Sequence, residues 1–239
     1  GLGFVPLGGV VVDADVEADR YHAVATLRSR GLLNLFERTN LRAESEGVIA
    51  NGAVQWRRYE LDHRYSHKHR TVSMVWDQAS GAATTIVPNY RLWGEPPAND
   101  EHRRRSRDPL STMIAMAVDV GQTRRCAGAY PTFDGRFHYL LELGGGDIAS
   151  FDDAGYEGDV LRCTLAYIAV AGFEARDAGR RRIPQGTVWF ALMPDTTFAP
   201  PVRISTPLSA GGAAIRLSRM RRAYVEIQAP DEPEGQATP

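Results

Sequence analysis

Cysteine, lysine and long apolar runs are all scarce in this sequence of 239 residues. The two cysteines, Cys126 and Cys163, form no CxxC pair, so neither a zinc ribbon nor a thioredoxin-like redox site is expected. No apolar run reaches the ~18 residues of a membrane-spanning helix, so no transmembrane segment is expected. The net charge of -1 lacks the basic excess typical of nucleic-acid-binding proteins, and no nucleic-acid partner is expected.

Recognisable catalytic motifs are missing as well. There is no G-x-S-x-G elbow for a nucleophilic serine, and no histidine lies near either cysteine in the sequence to act as its base. The glycines of residues 1–9 and 144–146 lack the strand–turn–helix frame of a phosphate-binding loop. The sequence therefore predicts a protein that is not an enzyme, with no catalytic residues and no cofactor.

Alternating apolar and polar residues fill most of the chain and are punctuated by turn signals such as Asn51-Gly52. This pattern predicts antiparallel strands in two groups, with a loop over Tyr90–Arg107 between them. The first group is Gly9–Val16, Arg20–Ser29, Asn34–Ile49, Ala53–Tyr65, His69–Asp77 and Ala82–Val87. The second group is Arg136–Leu143, Asp159–Val170, Gly186–Met193, Pro201–Thr206, Ala213–Met220 and Ala223–Gln228.

One segment between the two groups, Arg107–Val118, has helical spacing instead. Asp108 can accept hydrogen bonds from the first free amides, Pro109 suits the first helical position, and Gly121 is placed to end the helix. A curved antiparallel sheet or barrel needs an apolar cover for its concave face. We therefore expect this helix to plug or line the cavity, through Asp108, Pro109, Leu110, Met113, Ile114 and Val118.

Two groups of residues allow more than one interpretation. Cys126 and Cys163 are either a disulfide in an oxidising compartment or two unrelated buried thiols. His63, His67 and His69 would share one face of a continuous strand and could there hold zinc or copper. They span a predicted hairpin end, however, which favours a solvated turn, so no metal site is predicted.

Four separated motifs follow one another along the chain: "RDPLSTMIAMAV", "CAGAYPTFDGRFHYLLEL", "GYEGDVLRCTLAYIAVAG" and "PVRISTPLSAGGAAIRLSRM". Together they resemble the bacterial envelope family catalogued as domain of unknown function 3108, over most of Arg20 to Gln228. The resemblance implies an exported periplasmic protein whose leader is absent from this chain. It also implies a disulfide between Cys126 and Cys163, and it carries no catalytic residues. The shape implied is similar to that of envelope-integrity proteins with spiral β-barrels and, more distantly, to lipoprotein carriers.

The expected fold is accordingly mainly β, a single large antiparallel, twisted open barrel of roughly 12–14 strands wrapped around one central α-helix. Residues 1–228 are expected to form one domain, most simply as a monomer, and the Pro/Glu/Gly-rich residues 229–239 a disordered tail.

Two functions fit this expectation. The first is a non-enzymatic periplasmic envelope protein that binds a lipid-like or other amphiphilic ligand in the barrel and supports envelope integrity. The second is a structural or interaction protein whose filled barrel contacts peptidoglycan, lipoprotein or another envelope protein. Candidate cavity residues are Trp56, Tyr59, Trp76, Phe137, Tyr139, Tyr167, Trp189 and Phe190.

Overall fold

Two antiparallel sheets make up most of the computed structural model, which describes residues 8–29, 39–65, 67–77, 81–87, 93–153, 156–208 and 211–216. Within these residues each sheet has six strands, and strands that follow one another in the chain are neighbours in the sheet. Sheet 1 contains β1 (Gly8–Val16), β2 (Arg20–Ser29), β3 (Thr39–Ala50), β4 (Ala53–Tyr65), β5 (Lys68–Asp77) and β6 (Gly81–Val87). Sheet 2 contains β7 (Gly128–Phe133), β8 (His138–Asp153), β9 (Tyr156–Ala171), β10 (Gly186–Ala191), β11 (Pro201–Leu208) and β12 (Gly211–Arg216).

The predicted mainly β, antiparallel class is confirmed, whereas the open barrel wrapped around one helix stays a prediction. The described strands do not form a closed barrel. Pairing runs from β1 to β6 and separately from β7 to β12, and no described strand of one sheet pairs with a strand of the other. The predicted strand Ala223–Gln228 and the predicted tail, residues 229–239, lie outside the described residues. The single domain over residues 1–228 stays a prediction.

Three helices complete the part of the chain that the structure describes, together with a single 3-10 turn: α1 (Asp100–Arg105), α2 (Pro109–Thr123) and α3 (Ala178–Arg181). Helix α1 lies in the segment predicted as a loop, and that prediction is wrong there. The side chain of Asn99 accepts a hydrogen bond from the His102 amide, and the His102 ring accepts one from the Asn99 amide. This reciprocal cap starts a helix directly after a Pro-rich stretch.

The start of α2 is as predicted, but its end is not. Asp108 caps the helix, and Pro109 occupies its first turn. The helix continues to Thr123 and stops at Arg124, which adopts a left-handed conformation with φ 53°. Gly121 lies inside the helix, where a Cβ atom would overlap the backbone of Thr197. Its small size therefore serves a close approach of two chain segments rather than a helix stop.

Both sheets pack against α2. One buried cluster combines Met116 and Val120 of the helix with Val54 of sheet 1 and with Cys163 and Phe190 of sheet 2. The helix is consequently buried well beyond one stripe, and Ser111, Thr112 and Ala115 to Ala117 have almost no exposure. Leu110 and Met113, predicted members of the stripe, are only half-buried, whereas Ile114 and Val118 are buried. Among the described residues, no helix has both the length and the apolar character needed to cross a membrane.

Candidate functional site

A half-buried apolar surface continues from the core along the inward side of sheet 2. Successive side chains of a strand point to opposite faces, and on β9 the buried Leu161 and Cys163 share their face with Leu165 and Tyr167, which are half-buried. Leu141 of β8 pairs with Tyr167 and is also half-buried. The apolar face of the sheet thus extends beyond the part that is fully covered.

This surface, which we call the inner face, consists of Tyr139, Leu141, Leu165, Tyr167 and, from α2, Met113. The Tyr139 and Tyr167 rings lie 4.7 Å apart, and Met113, Leu141 and Leu165 all pack against the same buried cluster. An apolar surface of this kind, with two aromatic rings at one end, can bind an aliphatic chain.

A buried polar cluster anchors the start of α2 to sheet 1. Asp108 has no exposed surface, and its Oδ1 accepts hydrogen bonds from the amides of Leu110 and Ser111 at 2.9 and 3.0 Å. Its Oδ2 accepts from the hydroxyls of Ser45, at 3.0 Å, and of Ser111. The Tyr21 hydroxyl lies 2.6 Å from Ser111 Oγ. Strands β2 and β3 are thereby tied to the helix through side chains alone.

The role of this cluster is structural: it holds the start of α2 against sheet 1. Burial raises the pKa of Asp108 to about 6, although the hydrogen bonds from Ser111 and Ser45 act in the opposite direction. Ser111 is fully buried, and its hydroxyl donates to a carboxylate that already caps the helix. Tyr21 and Ser45 have no signal in the sequence that points to Asp108, because they reach it only through the fold.

An open cleft of about 310 Å³ is lined by Tyr21 and other residues of sheet 1. Charged side chains of both signs line it, including Glu17 and Arg20, which pair at 2.7 Å. Because charges of opposite sign line the same open cleft, it favours neither an ion of one sign nor an apolar ligand, and the inner face is the better candidate site.

The residues predicted to line a cavity lie in five different places. Trp56, Tyr59 and Trp76 belong to a second core cluster, in which the two indoles meet edge to face at 5.6 Å. Phe137 stacks on Phe173 at 4.6 Å, outside the inner face. Trp189 and Phe190 follow one another in β10 and therefore point to opposite sides of sheet 2. Of the eight, only Tyr139 and Tyr167 lie on the inner face.

The three predicted histidines are spread around a hairpin. His63 pairs with Arg70, whereas His69 pairs with Arg64, the residue after His63, so their side chains point to opposite faces of the sheet. His67 lies in the exposed turn, and His69 Nε2 is 2.7 Å from an Asp62 oxygen. Within the described ranges, no three His, Cys, Asp or Glu side chains are arranged to hold a metal ion.

The disulfide between Cys126 and Cys163 is confirmed. It joins the segment that follows α2 to the middle of β9, with 5.4 Å between the Cα atoms. Cys163 has no exposed surface and lies in the cluster around α2. The bond therefore fixes the end of the helix to sheet 2, as the polar cluster fixes its start to sheet 1.

Comparison with protein families agrees with the resemblance of the four motifs. The family model described as protein of unknown function (DUF3108) matches residues 2–218. The chain belongs to this family. The DUF3108 match includes α2, both cysteines and the inner face, so these features lie within the region that defines the family. No curated protein and no solved structure matches the chain.

Proposed function

We propose that this DUF3108 chain is a non-enzymatic protein of the bacterial cell envelope that binds the apolar part of a lipid-like amphiphile against the inner face and thereby supports envelope integrity. One observation carries the proposal: Leu141, Leu165 and Tyr167 point to the same side as the core, yet remain half-buried. Each Å² of apolar surface that a ligand removes from water contributes about 25 cal/mol, so an acyl chain would be stabilised there.

The architecture of this proposal is an open barrel in which both sheets curl around α2. The shared cluster of α2, Val54 and Phe190 supports it, since this cluster joins the helix to residues of both sheets. The compartment is the periplasm, where disulfides form and persist, and the bond between Cys126 and Cys163 supports that assignment.

A filled interior is the second candidate, and one observation favours it. Met116, Ala117 and Val120 have no exposed surface, so α2 occupies its part of the interior completely. If side chains also cover the inner face in solution, the function lies in contacts with peptidoglycan, lipoprotein or another envelope protein.

The deciding experiment is mass spectrometry of the organic extract from protein purified out of its own host, with matched variants of β8. Leu141→Gln changes the inner face, whereas Leu140→Gln changes the neighbouring half-buried leucine, whose side chain points to the other side of the sheet. We expect a co-purified lipid in the wild-type protein and the Leu140 variant, and much less in the Leu141 variant.

The same variants separate the two candidate functions. Delipidated wild-type protein should gain thermal stability from the extracted lipid, because a ligand that binds only the folded state shifts unfolding by mass action. An extract without lipid, together with no stabilisation by any envelope lipid, would reject the ligand and favour the filled interior.

A further inference from the structure

A group of exposed aliphatic side chains lies on the outer side of sheet 2, behind the inner face. Ile168 and Val170 of β9 point away from the core and are 40% and 37% exposed. Ile183, which precedes β10, is 41% exposed. Gly186 at the start of β10 pairs with Leu165 of β9, so the chain just before it, with Ile183, runs beside the end of β9.

Two exposed arginines accompany these side chains. Helix α3 contacts β9, and the Arg181 guanidinium donates to the Phe173 carbonyl at 2.9 Å, just past the end of that strand. Arg182 is exposed and directly precedes Ile183. We call Ile168, Val170, Ile183, Arg181 and Arg182 the outer patch.

The outer patch carries positive charge. The nearby carboxylates of Glu174 and Asp177 both bind Arg136, at 3.1 and 2.7 Å, and Glu174 also binds Arg176. In the described part of the chain no carboxylate pairs with Arg181 or Arg182. Aliphatic side chains beside arginines without a carboxylate partner fit an interface with anionic lipid. The aliphatic side chains can enter the headgroup region, and the arginines can bind the lipid phosphates.

The geometry points to a membrane-docking surface: we propose that the outer patch binds this protein to the surface of an anionic phospholipid bilayer. Tyr167 of the inner face and Ile168 of the outer patch are successive residues of β9. Docking would therefore hold the end of the inner face next to the bilayer from which a ligand could be taken. The docking itself is independent of the proposed function, and only this transfer rests on it.

Sedimentation with vesicles tests the docking. The full chain is mixed with vesicles of phosphatidylglycerol and phosphatidylcholine, or of phosphatidylcholine alone, at low and high salt. We expect binding to the anionic vesicles only and a loss of binding at high salt, because screening weakens the arginine–phosphate attraction. Ile168→Glu, Ile183→Glu and Arg182→Glu should each weaken binding by about fivefold or more.

A matched control comes from sheet 1. Val75 of β5 is 48% exposed, and Val75→Glu introduces the same charge at an equally exposed strand position far from the outer patch in sequence. It should bind the anionic vesicles as the wild-type protein does. Circular dichroism and thermal unfolding verify that each variant is folded. If an isoleucine variant does not fold, Arg182→Glu still tests the proposal, because Arg182 lies on an exposed connection.

The outcomes are distinct. Wild-type protein that stays in solution with both kinds of vesicle, or a Val75→Glu variant that loses as much binding as Ile168→Glu, would overturn the docking surface. Docking that depends on the patch in a protein without co-purified lipid would retain this inference and reject the proposed ligand. A ligand retained by the wild-type protein and by all outer-patch variants, with no vesicle binding, would reject the docking surface and retain the proposed function.

Discussion

At the scale of single residues, two buried ionisable groups have pKa values displaced in opposite directions. Burial raises the pKa of Asp108 from 3.8 to about 6. Burial and the neighbouring His102 lower the pKa of His138 from 6.5 to about 4. Folded Asp108 keeps its proton to higher pH than unfolded Asp108, so its contribution to stability falls as pH rises from about 4 to about 6. Between about pH 4 and 6.5, folded His138 is neutral whereas the unfolded residue is still protonated. The contribution of His138 to stability therefore rises as the pH rises from about 4 to 6.5. The two dependences oppose each other.

The first prediction concerns Asp108→Asn. Asparagine can still cap α2, but it does not titrate, so the dependence due to His138 remains alone. We expect the free energy of unfolding of the variant to increase by up to about 3 kcal/mol more than that of the wild-type protein between pH 4 and 6.5. Urea unfolding at several pH values measures this. Asp195→Asn, at an exposed position, serves as the control and should behave as the wild type.

The second prediction concerns His138→Asn, for which the opposite pH dependence is expected. His138 Nδ1 lies 3.0 Å from Ser106 Oγ, which itself donates to the His102 carbonyl, so the ring nitrogen donates to Ser106. In His138→Asn an amide can take over that donation without titrating. Stability should then fall between pH 4 and 6, by up to about 3 kcal/mol. If both variants keep the pH profile of the wild-type protein, neither pKa is displaced as described.

At the scale of elements, the third prediction uses two helical glycines. A Cβ atom at Gly121 of α2 would overlap the backbone of Thr197, whereas at Gly179 of α3 it would meet no atom within 4 Å. We expect Gly121→Ala to lower the free energy of unfolding by about 2–4 kcal/mol, because two backbone segments must separate. Gly179→Ala should leave it unchanged or raise it by up to about 1 kcal/mol. Equal effects of the two substitutions would contradict the close approach at Gly121.

The same elements show what the sequence can and cannot predict. Strands β2 and β4 have the predicted bounds, since their alternation is regular, and Asp108-Pro109 marks the start of α2 through local capping. Strand β7 was not predicted, because Gly128 and Pro131 make it look like a turn, although it pairs fully with β8. Local patterns are sufficient where an element is stabilised by its own residues, and they fail where pairing with another strand, even the next one in the chain, determines the structure.

The candidate site, too, could be predicted from the sequence only in part. Tyr139 and Tyr167 were predicted to line a cavity, and the alternation of β9 gives the direction of their side chains. Alternation does not say how far a helix covers that face, so Trp189 and Phe190 were grouped with them although they lie on opposite sides of sheet 2. Ser45 and Tyr21, the partners that secure Asp108 and Ser111, come from strands 63 and 90 residues away from them.

At the scale of the whole molecule, α2 is held at both ends by different chemistry. Its start is fixed to sheet 1 by the hydrogen bonds of Asp108 and Ser111, and the segment after its end is fixed to sheet 2 by the Cys126–Cys163 bond. The disulfide also restricts the unfolded chain, because it closes a loop over a sequence separation of 37 residues.

The fourth prediction follows from that loop. In the chain-entropy model such a bond contributes roughly 3–4 kcal/mol, so the double variant Cys126→Ala, Cys163→Ala should unfold at a clearly lower temperature than the oxidised wild type. Reduction of the wild-type protein should give nearly the same loss, while the variant itself should not respond to the reductant. Because the polar cluster at Asp108 does not depend on sulfur, the variant should keep the opposed pH dependences of Asp108 and His138. Two reactive thiols in untreated protein, or a double variant as stable as the oxidised protein, would show that the bond does not hold the helix to sheet 2.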